Sequence, residues 1–376
     1  MSKTTKIVIG AIIAIIVIGG IWYVAAKQPK QFGNIKIGVV LPLSGDIAIY
    51  GDSVKNAVLL AVENSGIKDK VQLVIEDDNS CDKNSDVSIA QKFVNIDKVN
   101  AVIGPMCSSA TLATLPVTDP AKIIMVSPTS TSKIITKSGY NFFFRTMESD
   151  SAKAILAANF AYGKGYRKAA LIFDIANDSF LQQKQDIKET FTAAGGAIVE
   201  EESFRTKDVD FRSQLTKIKN SGADIVIVGG FPTESALVIK QARELGINLQ
   251  IMGAGAETGT PELITLAGSA AEGFIFPTSE ASTNKEHSDF INAYKAKFGE
   301  DPQGYGSAEG YDAAMLLVKA IQNSDGTGES IKDNFYNLGQ NYMGASGTIT
   351  FDNNGDVKKP MLMNIVKNGQ FVPYGE

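Results

Sequence analysis

Short apolar runs alternate with amphipathic stretches along the chain from residue 35 onward. The first four runs are rich in valine and isoleucine and cover 35–43, 70–78, 100–106 and 122–128. Near-continuous apolar runs of this length are typical of strands that are covered on both faces. The stretch between the first two runs places apolar residues on one helical face, namely Val54, Ala57, Val58, Ala61 and Val62. This strand–helix–strand order predicts a parallel sheet with helical crossovers.

The same pattern restarts in the second half of the chain. Further strand candidates lie at 168–174, 197–204, 224–230, 249–255 and 273–278, separated by helical stretches such as 179–196 and 231–246. The remainder contains helical stretches at 287–298, 310–322 and 330–338, and an alternating run at 347–356. Two such α/β sets predict two lobes of similar build, each with a doubly wound parallel sheet.

The N-terminus departs from this pattern. Residues 7–26 carry no charge, and about twenty apolar residues suffice for a helix to span a bilayer. Lysines flank the run, and Trp22 and Tyr23 stand near its outer end, where interfacial aromatic residues are common. A signal peptide cleaved after Ala26 is the alternative, but its apolar region is usually only about 7–15 residues long. We therefore favour an uncleaved signal-anchor. With either kind of segment, the rest of the chain is expected to be exported.

Composition and charge narrow the class of partner. The chain has 376 residues, of which 44% are apolar and 20% charged, with a net charge of −5 and no long basic run. Such a surface argues against nucleic acid as a partner. Cys81 and Cys107 are the only cysteines. In an exported chain an even pair is expected to form a disulfide, whereas a lone catalytic thiol would leave its partner unexplained.

Motifs that would carry catalysis, a metal or a cofactor are weak or missing from the sequence. His287 is the only histidine and no G-x-S-x-G occurs, so neither a catalytic triad nor a zinc site is expected. The glycine-rich stretch 252–259 has one residue too many for a dinucleotide fingerprint, and the acidic stretch 76–86 lacks the calcium-loop spacing. We therefore expect no catalytic residue, no metal and no cofactor, and we interpret His287 as a surface residue.

Two hydroxyl-rich clusters follow neighbouring predicted strands, "CSSAT" at 107–111 and "SPTSTS" at 127–132. In an open parallel sheet, ligands bind outside the carboxyl ends of the strands, so both clusters are expected to face one crevice. Ser108 and Ser109 also stand where a helix begins, and free N–H groups there suit a carboxylate. Simple N-capping by these serines is an equally good interpretation at this stage.

Several motifs together resemble the type I periplasmic binding proteins of the leucine/isoleucine/valine class, which deliver amino acids to ABC transporters. They are "IKIGVVLPLSGDIAIYGDSVKNAVLLAVEN", "DDNSCD", "AVIGPMCSSAT", "MVSPTST", "FFFRTMESD", "EGYDAAMLL" and "GTITFDNNGDV". The resemblance covers about 35–371. It implies two lobes, 35–149 plus 277–351 and 150–276 plus 352–376, joined by three crossovers after an N-terminal segment 1–34. The lobes would close around the ligand by a hinge motion.

The resemblance also implies roles for individual residues in the first lobe. Ser108 matches the hydroxyl that binds the ligand carboxylate. Thr129 and Thr131 match positions that supply backbone and hydroxyl contacts, and Tyr50 matches an aromatic residue lining the side-chain pocket. Cys81 and Cys107 match the family's disulfide.

In the second lobe the resemblance is less regular. Phe231 matches an aromatic residue that lines the pocket. Glu257 stands about two residues later than the family's acidic partner for the ligand ammonium. The family's Tyr-Gly is replaced by "NDSF", where Asp178 or Phe180 would take its place. These departures leave the identity of the ligand open.

The expected function is an extracytoplasmic substrate-binding protein of an ABC importer that binds an amino acid, branched-chain or apolar, or a similar small carboxylate or amide. Its partners would be the permease subunits and the membrane, reached through the N-terminal helix, and we expect a monomer. Two alternatives remain. The same module can report its ligand to a regulator, and an exported enzyme can use the same scaffold.

Overall fold

The computed structural model describes residues 35–45, 47–279, 284–303 and 305–375. The predicted membrane helix over 7–26, the linker after it and the alternative cleavage site all lie outside these residues. Within the described ranges, no helix combines the length and the apolar character that crossing a membrane requires.

A parallel sheet of five strands forms the centre of the first lobe. Its strands are β1 (Ile35–Leu41), β2 (Val71–Asp77), β3 (Ala101–Ile103), β4 (Ile124–Ser127) and β5 (Phe143–Arg145). They are arranged in the order β2-β1-β3-β4-β5. The register pairs Ile37 of β1 with Leu73 on one side and with Ala101 on the other. The four predicted apolar runs therefore form strands, and β5 adds a fifth that the pattern did not predict.

Four helices of the first lobe connect these strands. They are α1 (Ala48–Asn64), α2 (Lys83–Lys92), α3 (Ser108–Thr118) and α4 (Lys133–Lys137). The five apolar residues that the sequence placed on one face of α1 are all buried. All of them except Ala57 belong to the core cluster that this helix shares with the sheet, which explains the helical period of the sequence.

The second lobe begins with the same alternation. Its first strands are β6 (Lys168–Asp174), β7 (Ala197–Phe204), β8 (Ile225–Gly229), β9 (Gln250–Gly253) and β10 (Ile275–Ser279). Its helices are α5 (Asp150–Gly163), α6 (Asp178–Ala193), α7 (Arg212–Asn220), α8 (Pro232–Glu244) and α9 (Pro261–Ala267). All five predicted strands of this half are present.

The last third of the chain contributes to both lobes. It contains α10 (Lys285–Phe298), α11 (Ser307–Gln322), α12 (Gly328–Leu338), β11 (Gln340–Gly344), β12 (Gly347–Phe351), β13 (Val357–Lys358), β14 (Met361–Lys367) and β15 (Gln370–Pro373). Strands β11, β12 and β13 form a small antiparallel sheet on the first-lobe core. The second-lobe sheet has the order β15-β14-β10-β9-β8-β6-β7, and β14 pairs antiparallel with both neighbours. This lobe is thus mixed at one edge, where the prediction was purely parallel.

Each lobe has its own hydrophobic core, with clusters on both faces of its sheet. In the first lobe, helices α1 and α11 pack together over one face, and Phe335 and Phe351 stack at its edge. In the second lobe, Phe173 and Phe191 belong to the cluster on one face and Phe204 to that on the other. The architecture confirms the predicted class of two α/β lobes.

The chain passes between the lobes three times, before α5, between β10 and α10, and between β13 and β14. The predicted division after residue 276 falls inside β10, because Pro277 to Ser279 still pair with β14. The predicted division after residue 351 falls before β13. Val357 of β13 pairs with Phe351 and is buried in the first-lobe core.

Candidate ligand-binding site

The carboxyl ends of β3 and β4 bring the two hydroxyl clusters together, as expected. Ser108 is the first residue of α3, and its hydroxyl oxygen accepts a hydrogen bond from the Ser132 N–H at 3.2 Å. The hydroxyl proton therefore remains available to a ligand acceptor. Ser109, the next helical residue, is exposed. Because the first N–H groups of a helix have no helical acceptor and carry a partial positive charge, this corner suits a carboxylate.

Thr129 lies next to this part of the site and is buried inside the first lobe. Its hydroxyl donates to the carbonyl of Met106 at 2.7 Å, and the residue is only 6% exposed. Its methyl group lies against Gly306, where an added Cβ would stand 2.4 Å from it. The hydroxyl that the resemblance assigned to the ligand thus donates within the protein, whereas a backbone contact from Thr129 stays a prediction.

Thr131 joins the first lobe to the second. Its hydroxyl donates to the carboxylate of Asp150 at 2.6 Å, and the Asp150 N–H donates to the Thr131 carbonyl at 3.3 Å. Ser179, in the first turn of α6, donates to the same carboxylate oxygen at 2.7 Å. Asp150 is the first residue of α5, where Ser149 is the N-cap. Two hydroxyls, one from each lobe, therefore fix the Asp150 carboxylate at the junction of the lobes.

The Asp150 carboxylate has no cationic partner among the described residues. None of their lysine or arginine nitrogens lies within 4.0 Å of it. Arg145, which is fully buried close by, pairs with Asp356 instead. The Arg145 charge still acts on Asp150 from beyond ion-pair distance. A carboxylate that is held by neutral donors and has no direct ion pair is suited to a ligand ammonium group.

Aromatic side chains line both sides of the junction. In the first lobe, the rings of Tyr50 and Tyr305 lie 5.3 Å apart. The surrounding protein raises the pKa of Tyr305, and Tyr50 and the Asp150 charge raise this pKa further. In the second lobe, Phe180 and Phe231 meet edge to face at 5.0 Å. Phe231 is 40% exposed, so its ring offers apolar surface to a ligand.

Two second-lobe candidates can be placed by their backbone alone. Asp178 begins α6, which follows β6, and Asn177 is the N-cap. Glu257 lies in a short 3-10 segment, Ala256–Thr258, that follows β9. Their side chains fall outside what the structure describes, so both assignments stay predictions. Phe180, the alternative to Asp178, is buried against Phe231.

The cysteine pair is a disulfide, with Cα atoms 5.9 Å apart. Cys107 is the N-cap residue of α3, so the bond fixes the residue before Ser108. On the other side, the Cys81 N–H donates to the Asp78 carboxylate at 2.7 Å. Cys107 therefore holds the site in place and is not a nucleophile.

A cavity of about 320 Å³ adjoins the site where the chain passes between the lobes. Met147 and Ser279, beside two of the crossings, line it together with Tyr305 and Glu309. His287 also lines it, and its Nδ1 lies 2.8 Å from the Ala345 carbonyl oxygen. The described residues contain no cluster of His, Cys, Asp or Glu suited to a metal ion.

Sequence reasoning missed Asp150, Ser179 and Tyr305 as site residues. The sequence does carry a signal for Asp150, since this residue ends the motif "FFFRTMESD" and follows a serine that caps a helix. Tyr305 stands between two glycines just before a predicted helix. Ser179 carries no comparable signal, because its role depends on a contact across 29 residues.

Two α/β lobes with hydrogen-bonding groups and aromatic rings at their junction define a two-lobed binding protein. The family model for periplasmic binding proteins matches residues 34–370. The chain therefore belongs to the periplasmic binding protein family, and its relatives are of the branched-chain amino acid class that the sequence resembles. As a member it is an extracytoplasmic solute-binding protein of an ABC importer, not an enzyme.

Relatives and solved structures match along nearly the whole chain. The leucine-, isoleucine-, valine-, threonine- and alanine-binding protein of Pseudomonas aeruginosa is 28% identical, over 89% of this chain and 90% of the relative. The leucine binding protein LivK of Thermotoga maritima has a TM-score of 0.73 at 33% identity, over 91% of this chain and 98% of that one. LivJ of Streptococcus pneumoniae, solved with isoleucine, has a TM-score of 0.71 at 28% identity, over 90% and 99%.

Proposed function

We propose that this protein captures a free amino acid, preferentially one with an apolar or branched-chain side chain, at the junction of its two lobes. The observation that carries the proposal is that the site offers one group suited to a carboxylate and another suited to an ammonium group. The start of α3 at Ser108 offers a hydroxyl and free N–H groups, whereas Asp150 offers a carboxylate with no direct ion pair among the described residues. An α-amino acid has the matching carboxylate and ammonium on a single carbon atom.

The aromatic rings support an apolar ligand side chain. Tyr50 and Tyr305 on one side and Phe231 on the other offer surfaces that gain free energy when a ligand covers them, about 25 cal/mol per Å². The relatives named for leucine, isoleucine and valine support the same class. Asp178 and Glu257 stay candidates for further contacts to the ammonium from the second lobe.

The charge of Asp150 also favours an amino acid over a simple aromatic acid as the ligand. A solute-binding protein of Rhodopseudomonas palustris, solved with 4-hydroxybenzoate, shares the fold at a TM-score of 0.73 and 22% identity. A benzoate has a carboxylate but no ammonium, so it would leave the Asp150 carboxylate unpaired and desolvated. We therefore place amino acids ahead of aromatic acids.

The proposal also covers how the bound ligand would reach the permease. The apolar run over 7–26 would anchor the protein to the outer face of the cytoplasmic membrane, and the binding lobes would act as a monomer beside the permease subunits. An anchor keeps the local concentration of the binding protein high at the permease without adding any contact.

A thermal-shift screen of residues 27–376 against the proteinogenic amino acids, benzoate and 4-hydroxybenzoate tests the ligand class. Ligands that bind only the native state raise its stability. We expect the largest shift with leucine, isoleucine or valine, and calorimetry to give a 1:1 stoichiometry. Stabilisation by the benzoates and by none of the amino acids would refute the proposal.

A further inference from the structure

Near the disulfide two carboxylates are buried, and none of the described lysine or arginine nitrogens lies within 4.0 Å of either one. Asp78 and Asp86 are both 0% exposed. Three of their four oxygens, Asp78 Oδ2 and both Asp86 oxygens, have no hydrogen-bond partner. Burying an unpaired carboxylate is among the costliest events in folding, so a compensating group is required.

A short turn at the disulfide connects the two acidic residues. The Asp82 N–H donates to the Asp78 carbonyl at 2.9 Å, and the Asp86 N–H donates to the Asp82 carbonyl at 2.9 Å. Asn79, Ser80 and Cys81 have positive φ, so the chain turns sharply before α2 begins at Lys83. Asp82 spends one oxygen on capping α2, where it accepts from the Asn84 and Ser85 N–H groups. Its carboxylate supplies no donor to Asp78 or Asp86.

Among the elements that the structure describes, none supplies a positive charge to Asp86. Helix α3, which packs on α2, contains no ionisable residue. The last residue of β2 adds another acid, Asp77, and Lys92 of α2 is paired with Glu76 and Asp97. Lys83, the remaining cation of α2, is exposed. The charges that act on Asp86 are those of Asp78 and Asp82, both negative.

We propose that the buried Asp86 side chain, near the disulfide turn, keeps its proton in the folded protein as a neutral carboxyl. A protonated carboxyl gains an O–H donor, which the three unpartnered oxygens lack. In agreement, burial, reinforced by the Asp78 and Asp82 charges, raises the pKa of Asp86 to about 8, and burial raises that of Asp78. The inference does not depend on the identity of the ligand.

The two aspartates are placed to affect the binding site. Asp78 also accepts the N–H of Cys81, which is bonded to Cys107 at the start of α3. Loss of the Asp86 proton would add a second buried charge near Asp78 and loosen this turn. External pH would then change the order of the helix end that carries Ser108.

The sign of the pH effect follows from the direction of the shift. Because the folded protein holds a proton that the unfolded chain has released, stability falls as the pH rises from about 4 to about 8. The substitution Asp86→Asn keeps a donor and removes the charge. We expect its urea midpoint to exceed that of the wild type at pH 8.5 and to approach it at pH 5. The exposed Asp69→Asn variant is the matched control and should follow the wild type.

Two further measurements decide between a proton and another ion. Infrared spectra at pH 7 should show the C=O stretch of a protonated carboxyl in the wild type and in Asp69→Asn, and its loss in Asp86→Asn. Amide exchange in 79–86 and 107–111 should show more opening above pH 8 in the wild type than in Asp86→Asn. An unchanged infrared band in Asp86→Asn would overturn the proposal. So would a melting temperature of the wild type that rises with calcium and falls with chelator, since a metal would then balance the charge.

Discussion

The hydroxyl of Thr131 donates a hydrogen bond to the carboxylate of Asp150, and this contact joins the end of a first-lobe strand to the first helix of the second lobe. The Ser149 hydroxyl adds a second link, because it donates to the Thr131 carbonyl at 3.1 Å. A residue beside the chain crossing thus belongs both to the site and to the connection between the lobes. Ligand contact and lobe position are therefore expected to be coupled here.

Replacing Asp150 by asparagine should weaken amino-acid binding. The change keeps the shape of the side chain and removes the charge that would face the ligand ammonium. Hydrogen bonds to charged groups are worth roughly 1.5–3 kcal/mol, so affinity should fall by roughly 10- to 150-fold. Calorimetry measures this loss, and Asp333→Asn, at an exposed position of α12, is the control. Unaltered affinity would remove Asp150 from the site.

Replacing Ser108 by alanine should weaken binding by roughly 1–3 kcal/mol if its hydroxyl donates to the ligand carboxylate. Folding should be affected less, because the lost internal contact is a single 3.2 Å bond from the Ser132 N–H. Affinity by calorimetry and the urea midpoint, compared with exposed Ser88→Ala, separate the two effects. Equal affinity in the Ser108 and Ser88 variants would show that Ser108 only caps its helix.

Most of the fold could be predicted from periodicity, and the exceptions have physical reasons. The strands at 35–41 and 225–229 are buried on both faces, so their apolar character is continuous in the sequence. Strands β11 and β13 are short and alternate in exposure, and they exist because each pairs with β12. The shifted division at β10 has the same origin, since pairing with a strand 80 to 90 residues later is a non-local property.

The candidate site was less predictable than the fold. Sequence pattern indicated that Ser108 and Thr131 lie at neighbouring strand ends, and the structure places them there. It did not indicate that the Thr129 hydroxyl turns inward to Met106, because adjacent residues of one loop can point in opposite directions. Asp150 and Ser179 come together only when two helices of the second lobe pack side by side.

Reducing the disulfide should lower stability. Cys81 and Cys107 close a loop of 26 residues, and in the chain-entropy model such a bond contributes about 3 kcal/mol. Reducing agent should therefore lower the melting temperature of the wild type. The double variant Cys81→Ala/Cys107→Ala should melt lower without reductant and should not respond to it. Two free thiols, found by mass spectrometry in protein from an oxidising compartment, would contradict the bond.

A last prediction concerns Asp312, a fully buried carboxylate of α11. It accepts hydrogen bonds from the Ala345 N–H at 2.8 Å and from the N–H and hydroxyl of Ser346 at 2.7 and 2.6 Å. Lys359, at the third crossing between the lobes, donates to the same Ser346 hydroxyl at 2.9 Å. Asparagine would place an amide donor against donors, so Asp312→Asn should cost roughly 1–3 kcal/mol of unfolding free energy.

The pH dependence of this loss has a definite sign. Burial raises the pKa of Asp312 to about 6, although the Ser346 hydrogen bonds and Lys359 oppose the shift. The folded wild type therefore binds more protons than the unfolded chain between about pH 4 and pH 6, and its stability falls as the pH rises through that range. The asparagine variant lacks this proton, so the stability difference between the two proteins should be larger at pH 4.5 than at pH 7.5. Urea unfolding at both values measures it, with Asp333→Asn as the control. A difference that grows with pH would mean that the Asp312 pKa is lowered on folding.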